Sequence, residues 1–415
     1  MKKKALVFLI LLSNPVDSFA ENLRDVIQKG LNYNLDNKIA ETEREISVYK
    51  RNQTESSYWP TFDLSAKTRT INRGDADNYI RDEDEDAMLD LNLRYTILDF
   101  ARDSEYEAAK LSIAGRELNK KIQEEKSIFN IINAYFNLWE KDNNKYYIKE
   151  YLDSVTELTQ KVRARVNGGV SQESDYLRAK VTLDDAKVRY ETADKELKEA
   201  KIRISYLIGE EIETTEKYTK KLIVPTFIKE NEVMSLSPVI KMLLKDKNIK
   251  ETGYRTAVRE ALPKLSVTGT YKEHFRKTVS PDTQIYFQIT MPLFDGGLIS
   301  NKSKEAAAQV RISEYKVQNA KRELNRNYSE IRSTIEKEVK LQKVFKENQM
   351  NAKKNILLYM AEFNLGTRPL SDLIAAQREL LTANLAEIDS RMNYYVSLAG
   401  MYNLYGNTID SLDLM

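Results

Sequence analysis

Residues 169–183 read GVSQESDYLRAKVTL and residues 366–380 read GTRPLSDLIAAQREL. Aligned, Gly169, Ser174, Asp175, Ala179 and Leu183 fall on Gly366, Ser371, Asp372, Ala376 and Leu380, each 197 residues further along. Ala186 and Ala383 extend the match, and Leu207 with Gly209 meets Leu404 with Gly406 at the same spacing. Upstream, Trp59, Pro60 and Phe62 match Leu262, Pro263 and Leu265 at a spacing of 203, and Leu98 with Asp99 matches Phe294 with Asp295 at 196. Ordered matches separated by small insertions and deletions mark an internal duplication. Each half therefore holds one complete structural unit.

The first unit, residues 21–209, opens with a helical stretch over 22–56 that Trp59 and Pro60 break. Strands are expected at 61–71 and 87–97. In the latter, Ala87, Leu89, Leu91, Leu93 and Tyr95 alternate with Met88, Asp90, Asn92, Arg94 and Thr96, a period of two with one oily face. The second unit, residues 238–408, places strands at 264–275 and 283–293, with Leu265, Val267, Gly269 and Tyr271, then Ile285, Phe287, Ile289 and Met291, on the apolar phase. Polar loops join the strands, at 74–86 (rich in Asp and Glu) and at 276–283.

A long helix follows each strand pair, at 99–166 and 298–365, without a proline and with Gly115 as its one glycine. Such a helix is roughly 100 Å long, far beyond an ordinary globular helix. Tip turns at Gly168, Gly169 and Gly366 lead into return helices at 172–208 and 369–405. Leu183, Ala186, Tyr190, Ala193, Leu197, Ala200, Ile204 and Leu207 form a strict heptad seam in the first of these. Leu381, Leu385, Ile388, Met392, Tyr395, Ala399 and Tyr402 form another in the second. Residues 210–237 read as a connector with little core of its own, and 409–415 as a C-terminal tail.

Composition removes whole classes of function. The 415 residues contain no cysteine and one histidine, His274, so thiolate sites, disulfides and multi-histidine metal centres are excluded. Mean hydropathy of −0.56 with 31% charged residues excludes a polytopic helical membrane protein. Lys2, Lys3 and Lys4, an apolar run from Ala5 to Leu12, and small residues Ser18 and Ala20 form an export signal over 1–20. Beyond it, 62 basic residues balance 62 acidic ones, so there is no bulk pull toward nucleic acid. No catalytic constellation and no cofactor motif stands out, and the chain reads as not an enzyme. His274 is expected in a surface loop near a strand end, the acidic run 82–86 in a solvated loop, Trp139 in packing, and Trp59 beside an interfacial strand start.

An exported chain with four alternating strands of membrane-spanning length cannot close a barrel alone, since about eight strands are the minimum and open edges are not tolerated in lipid. It must oligomerise, a trimer giving twelve strands and a dimer eight. The expected architecture is mainly α with membrane β: an outer-membrane pore with a long α-helical extension into the periplasm. A soluble periplasmic coiled-coil scaffold or adaptor is the alternative. It accounts for the helices but leaves the four alternations without a role.

The duplicated order of helix, Pro-Xaa-apolar, strand pair, Leu-Asp or Phe-Asp, long helix, glycine turn and heptad helix resembles the TolC family of outer-membrane efflux and secretion channels. The most specific pieces are residues 291–297 (MPLFDGG) and Leu365, Gly366, Thr367 and Arg368 followed by Asp372, Ala376 and Leu380. The resemblance implies a homotrimer in outer-membrane lipid that reaches into the periplasm: a trimeric twelve-stranded outer-membrane β-barrel continued by a twelve-helix periplasmic α-barrel. It implies docking by a periplasmic adaptor protein and an inner-membrane ABC or RND transporter, with passive conduction in efflux or type I secretion; the lack of an acylatable cysteine leans toward the latter. It also implies a gate at the helical tip, in which Asp175 and Ser174 on one helical pair hold Arg368 from a neighbouring pair. Phe363 takes the place of a tyrosine in that latch, so one hydroxyl contact is lost. Asp372 matches one of two narrowing aspartate rings while Ala375 stands at the other, which implies weaker block by divalent cations.

Overall fold

The computed structural model describes residues 22–73, 82–212, 214–275 and 280–415. The export segment 1–20 lies outside the described residues, as do 74–81 of the acidic loop and 276–279 of the second loop. In chain order the elements are α1 (Leu23–Tyr33), α2 (Leu35–Ser56), β1 (Thr61–Arg73), β2 (Asp82–Leu98), α3 (Phe100–Asn167), α4 (Glu173–Ile208), α5 (Glu230–Leu236) and α6 (Pro238–Arg259). They continue as β3 (Lys264–His274), β4 (Asp282–Thr290), α7 (Leu298–Asn364), α8 (Leu370–Leu404) and a 3-10 segment (Thr408–Leu414).

The four strands form one antiparallel meander in the order β1-β2-β3-β4, with the joint between the duplicated units falling at the β2–β3 pairing. Register places Phe62 opposite Leu93, Leu64 opposite Leu91, Leu91 opposite Tyr271, Leu93 opposite Gly269 and Val267 opposite Phe287. Directly opposed residues share a face, so one face is apolar across all four strands. Phe62, Leu64, Ile285, Phe287 and Ile289 on it are exposed. The other face is polar: Lys67 donates to the buried Asp90 carboxylate at 2.8 Å, and Thr270 donates to Asn92 at 3.1 Å.

Several boundaries differ from the sequence expectation. The helical stretch 22–56 is broken at Asn34, which ends α1 and whose side chain accepts from the backbone amides of Asp36 and Asn37 to start α2. The acidic run belongs to a strand, because β2 begins at Asp82. Register sets Arg69 opposite Asp86 and Arg73 opposite Asp82, where no apolar alternation signals a strand. His274 is the last residue of β3, within the strand. β4 stops at Thr290, just ahead of Pro292, which lacks the amide a ladder needs.

The strand-to-helix corners repeat between units. Asp99 caps α3 by accepting from the Ala101 amide at 3.0 Å and also meets Lys264 at 3.0 Å. Asp295 caps α7, accepting from the amides of Gly297 at 2.9 Å and Ile299 at 2.7 Å, and these bonds hold its carboxyl below the ordinary value. At the first corner the buried Arg102 binds the carbonyls of Ser57 and Thr96 and lies 4.1 Å over the Tyr58 ring, pinning α2, β2 and α3 together.

α3 and α7, of 68 and 67 residues, run the whole length of the helical wall. Near the sheet the packed order is α2-α3-α6-α7, and toward the glycine turns it is α4-α3-α8-α7. The wall is thus four helices wide at both levels. Among the described residues no helix is long and apolar enough to cross a membrane.

The connector and tail carry far more structure than a linker. The connector includes α5, and side chains of the long helices hold its backbone. Arg391 donates to the Lys220 carbonyl at 2.8 Å, Tyr394 to Ile223 at 2.7 Å and Tyr328 to Ile228 at 2.7 Å, while Gln342 accepts from the Leu222 amide at 3.2 Å. Tyr218 from the connector packs with Tyr135, Phe136, Trp139 and Tyr395 in the main core. The tail forms the 3-10 segment, tied to α3 through Glu125 and Thr408 at 2.9 Å, and ends in a buried Met415. Trp139 is likewise core, whereas Trp59 is 70% exposed at the entrance to β1.

Candidate gate at the helical tips

Both hairpins turn in the same way. The α3–α4 turn uses Gly169 at φ 73° and the α7–α8 turn uses Gly366 at φ 78°, the left-handed region that glycine enters without a Cβ penalty. Gly168 precedes the first of these and donates to the Ala164 carbonyl at 3.0 Å. Beneath the turns an apolar cluster joins the hairpins: Leu158, Val162 and Ala179 from one, Phe363, Leu370 and Leu373 from the other. Phe363, in the position expected to lack a latch hydroxyl, is only 5% exposed and holds the cluster through packing.

Each turn also carries a side-chain staple between residues six apart. In the first hairpin Arg165 donates from Nε to Ser171 at 3.2 Å. In the second Arg368 donates from Nε to Glu362. Arg165 and Glu362 are separated by 197 residues, and so are Ser171 and Arg368. The duplication has kept the staple and exchanged donor for acceptor.

Arg368 is therefore engaged inside its own hairpin. Besides Glu362 it reaches Asp372 from Nη1 at 3.0 Å and lies 3.9 Å over the Tyr359 ring. The neighbouring Glu362 raises its guanidinium above the ordinary value, with burial opposing and Asp372 adding. Contact with Ser174 and Asp175 is not made within the chain. The Ser174 hydroxyl donates to the Gln172 side chain at 3.3 Å, and among the described residues the half-buried Asp175 carboxylate makes no side-chain hydrogen bond or ion pair. Asp175 instead sits in the first turn of α4, where an acid complements the helix dipole, as Asp372 does in α8.

Sequence reasoning missed Glu362, Tyr359 and Arg165. Only the 197-residue repeat held a signal for the first and last, since a staple across a glycine turn follows neither the i+3 nor the i+4 rule of helices. Asp372 is partly compensated by its ion pair with Arg368. Ala375 lies beside a cleft of about 690 Å³ between α7 and α8, lined also by Asn348, Asn351, Asn355, Arg378 and Thr382.

Residues 26–210 and 249–407 match the family described as outer membrane efflux protein. The outer membrane protein TolC of Escherichia coli strain K12 is 21% identical over 96% of this chain and 84% of its own length. Among solved structures, the CmeC outer membrane channel of Campylobacter jejuni superposes with a TM-score of 0.84 at 21% identity, covering 94% of this chain and 86% of that one. The outer membrane protein VceC of Vibrio cholerae superposes with a TM-score of 0.83 at 14% identity, covering 93% and 96%.

Proposed function

Because the chain belongs to the outer membrane efflux protein family, its sheet and helical wall are part of an outer-membrane exit duct, and we propose that three copies close that duct into a gated tube. Three four-stranded sheets give the twelve-stranded barrel, and three four-helix walls give the twelve-helix tunnel. The observation that carries this reading is the pair of unpartnered edges. One edge is β1, α2 and α4; the other is β4 and α7. On the first, Leu35, Ile39 and Ile46 of α2 and Val181, Val188 and Ile202 of α4 are exposed. On the second, Ile312, Tyr315, Met350 and Leu357 of α7 are exposed. Apolar stripes at helical spacing on both flanks suit knobs-into-holes packing against the next copy.

Ring closure brings the free Asp175 of one copy toward Arg368 of the next, completing a gate from Ser174, Asp175, Phe363, Arg368 and Asp372. A periplasmic adaptor reaching the tip finds a groove of Asn and Ala side chains in the α7–α8 cleft. An inner-membrane ABC or RND transporter supplies the energy. The duct conducts passively and needs no cofactor. The scaffold alternative gives the two-faced sheet nothing to do.

The test is single-channel conductance of outer-membrane-extracted protein in planar bilayers, comparing wild type with Arg368→Ser. The expected result is a small wild-type conductance that rises in the variant. An unchanged value removes Arg368 from the gate, and no conductance from extracted trimers overturns the tube.

A further inference from the structure

The two staples at the tip differ in one respect. Arg368 directs its guanidinium entirely to groups of its own hairpin: Glu362, Asp372 and the Tyr359 ring. Arg165 crosses. Its Nη1 donates to the backbone carbonyl of Asn364 at 3.2 Å, and its guanidinium carbon stands 4.9 Å from the centroid of the Phe363 ring. Asn364 is the last residue of α7. The turn that follows gives amides to the carbonyls of Ala361, Glu362 and Phe363 but none to Asn364. A helix end leaves such carbonyls orphaned, and a cation there also meets the negative end of the dipole. Arg165 therefore caps the end of the other hairpin's helix while its Nε stays anchored to Ser171.

We propose that Arg165 is a second gate residue, a tie between the two hairpin tips of one protomer that opposes their splaying. The inference rests on the gated-tube reading above and concerns a contact within each copy, whereas Arg368 and Asp175 meet between copies. Widening a ring of hairpins requires neighbouring tips to separate. Within a protomer, that separation must pull Arg165 from the Asn364 carbonyl and uncover Phe363, which is otherwise buried in the cross-hairpin cluster. The Arg368–Glu362 staple is untouched, so the α7–α8 hairpin moves with its own turn intact.

Planar-bilayer recordings of purified wild type, Arg165→Ala, Arg165→Lys and the Arg165→Ala, Arg368→Ser double variant test this, with heat resistance of each trimer measured alongside. Arg165→Ala should raise the open fraction about fivefold, what one exposed hydrogen bond of ordinary strength gives. Arg165→Lys should fall between, because an ammonium lacks the planar fork that holds Ser171 and Asn364 together. The two gate variants should multiply in the double, since they break different contacts. Trimer heat resistance should stay at the wild-type level, which separates gating from a structural defect. Should Arg165→Ala fail to trimerise, the lysine variant carries the test, and wild-type behaviour from it overturns the tie. Wild-type pores with Arg165→Ala conducting as wild type overturn the tie alone. No wild-type pore overturns the gated-tube reading and the tie with it.

Discussion

Asp99 occupies one residue between a strand and a 68-residue helix, and it settles both. It caps α3 and draws in Lys264 from β3, so Asp99→Ala should destabilise the trimer by about 1 kcal/mol per chain, read as a lower melting temperature. Asp194 gives a pH-dependent counterpart. Lys145 of α3, then Lys198 of its own helix, hold this carboxyl at about 2, below its ordinary 3.8. A depressed folded value means that the contribution is complete above pH 3.8 and is lost as pH falls toward 2. Acid titration of trimer melting should show that loss, and Asp194→Asn should remove it. At this scale the sequence was partly readable. The capping aspartates stand in the repeated Leu-Asp and Phe-Asp pairs, but Glu362, the staple partner of Arg368, was hidden because a glycine turn brings residues six apart together.

Helices announce themselves through periodicity, and here the long uninterrupted ones do so within a residue or two of their observed ends. The heptad seam of α4 is buried at Ala186, Ala193, Leu197, Ala200 and Ile204. A second stripe, Val181, Val188 and Ile202, is exposed on this helix, which forms an unpartnered edge of the wall. Val188→Lys should therefore leave the protomer's own packing intact while blocking assembly, since it puts an unpaired charge into the closing interface. The expected readout is loss of heat-resistant trimer with helical circular dichroism retained. What escaped the sequence was structure made by non-periodic contacts. The connector shows no repeat because its order comes from Arg391, Tyr394, Tyr328 and Gln342 reaching its backbone from distant helices. The acidic start of β2 escaped for a related reason: its strand is set by the partner in register.

As a whole the molecule is a wall of four strands and four helices whose flanks match. Within one chain, α3 packs against α8 and α6, and β2 pairs with β3. Under the duplication α3 corresponds to α7, α4 to α8, α2 to α6, β1 to β3 and β2 to β4. The contacts expected between copies, α7 with the next α4 and α2 and β4 with the next β1, are therefore the same three contacts seen once inside the chain. The joint at β2–β3 is itself an interface of the kind that closes the ring, and a peptide connector merely crosses it. An ancestor half this length, with one hairpin of strands and one of helices, would have closed the same wall as a ring of six identical copies. Fusion of two such genes relieved the two halves of identity, and the reversed Arg165–Ser171 and Glu362–Arg368 staples record how far their tips have since diverged.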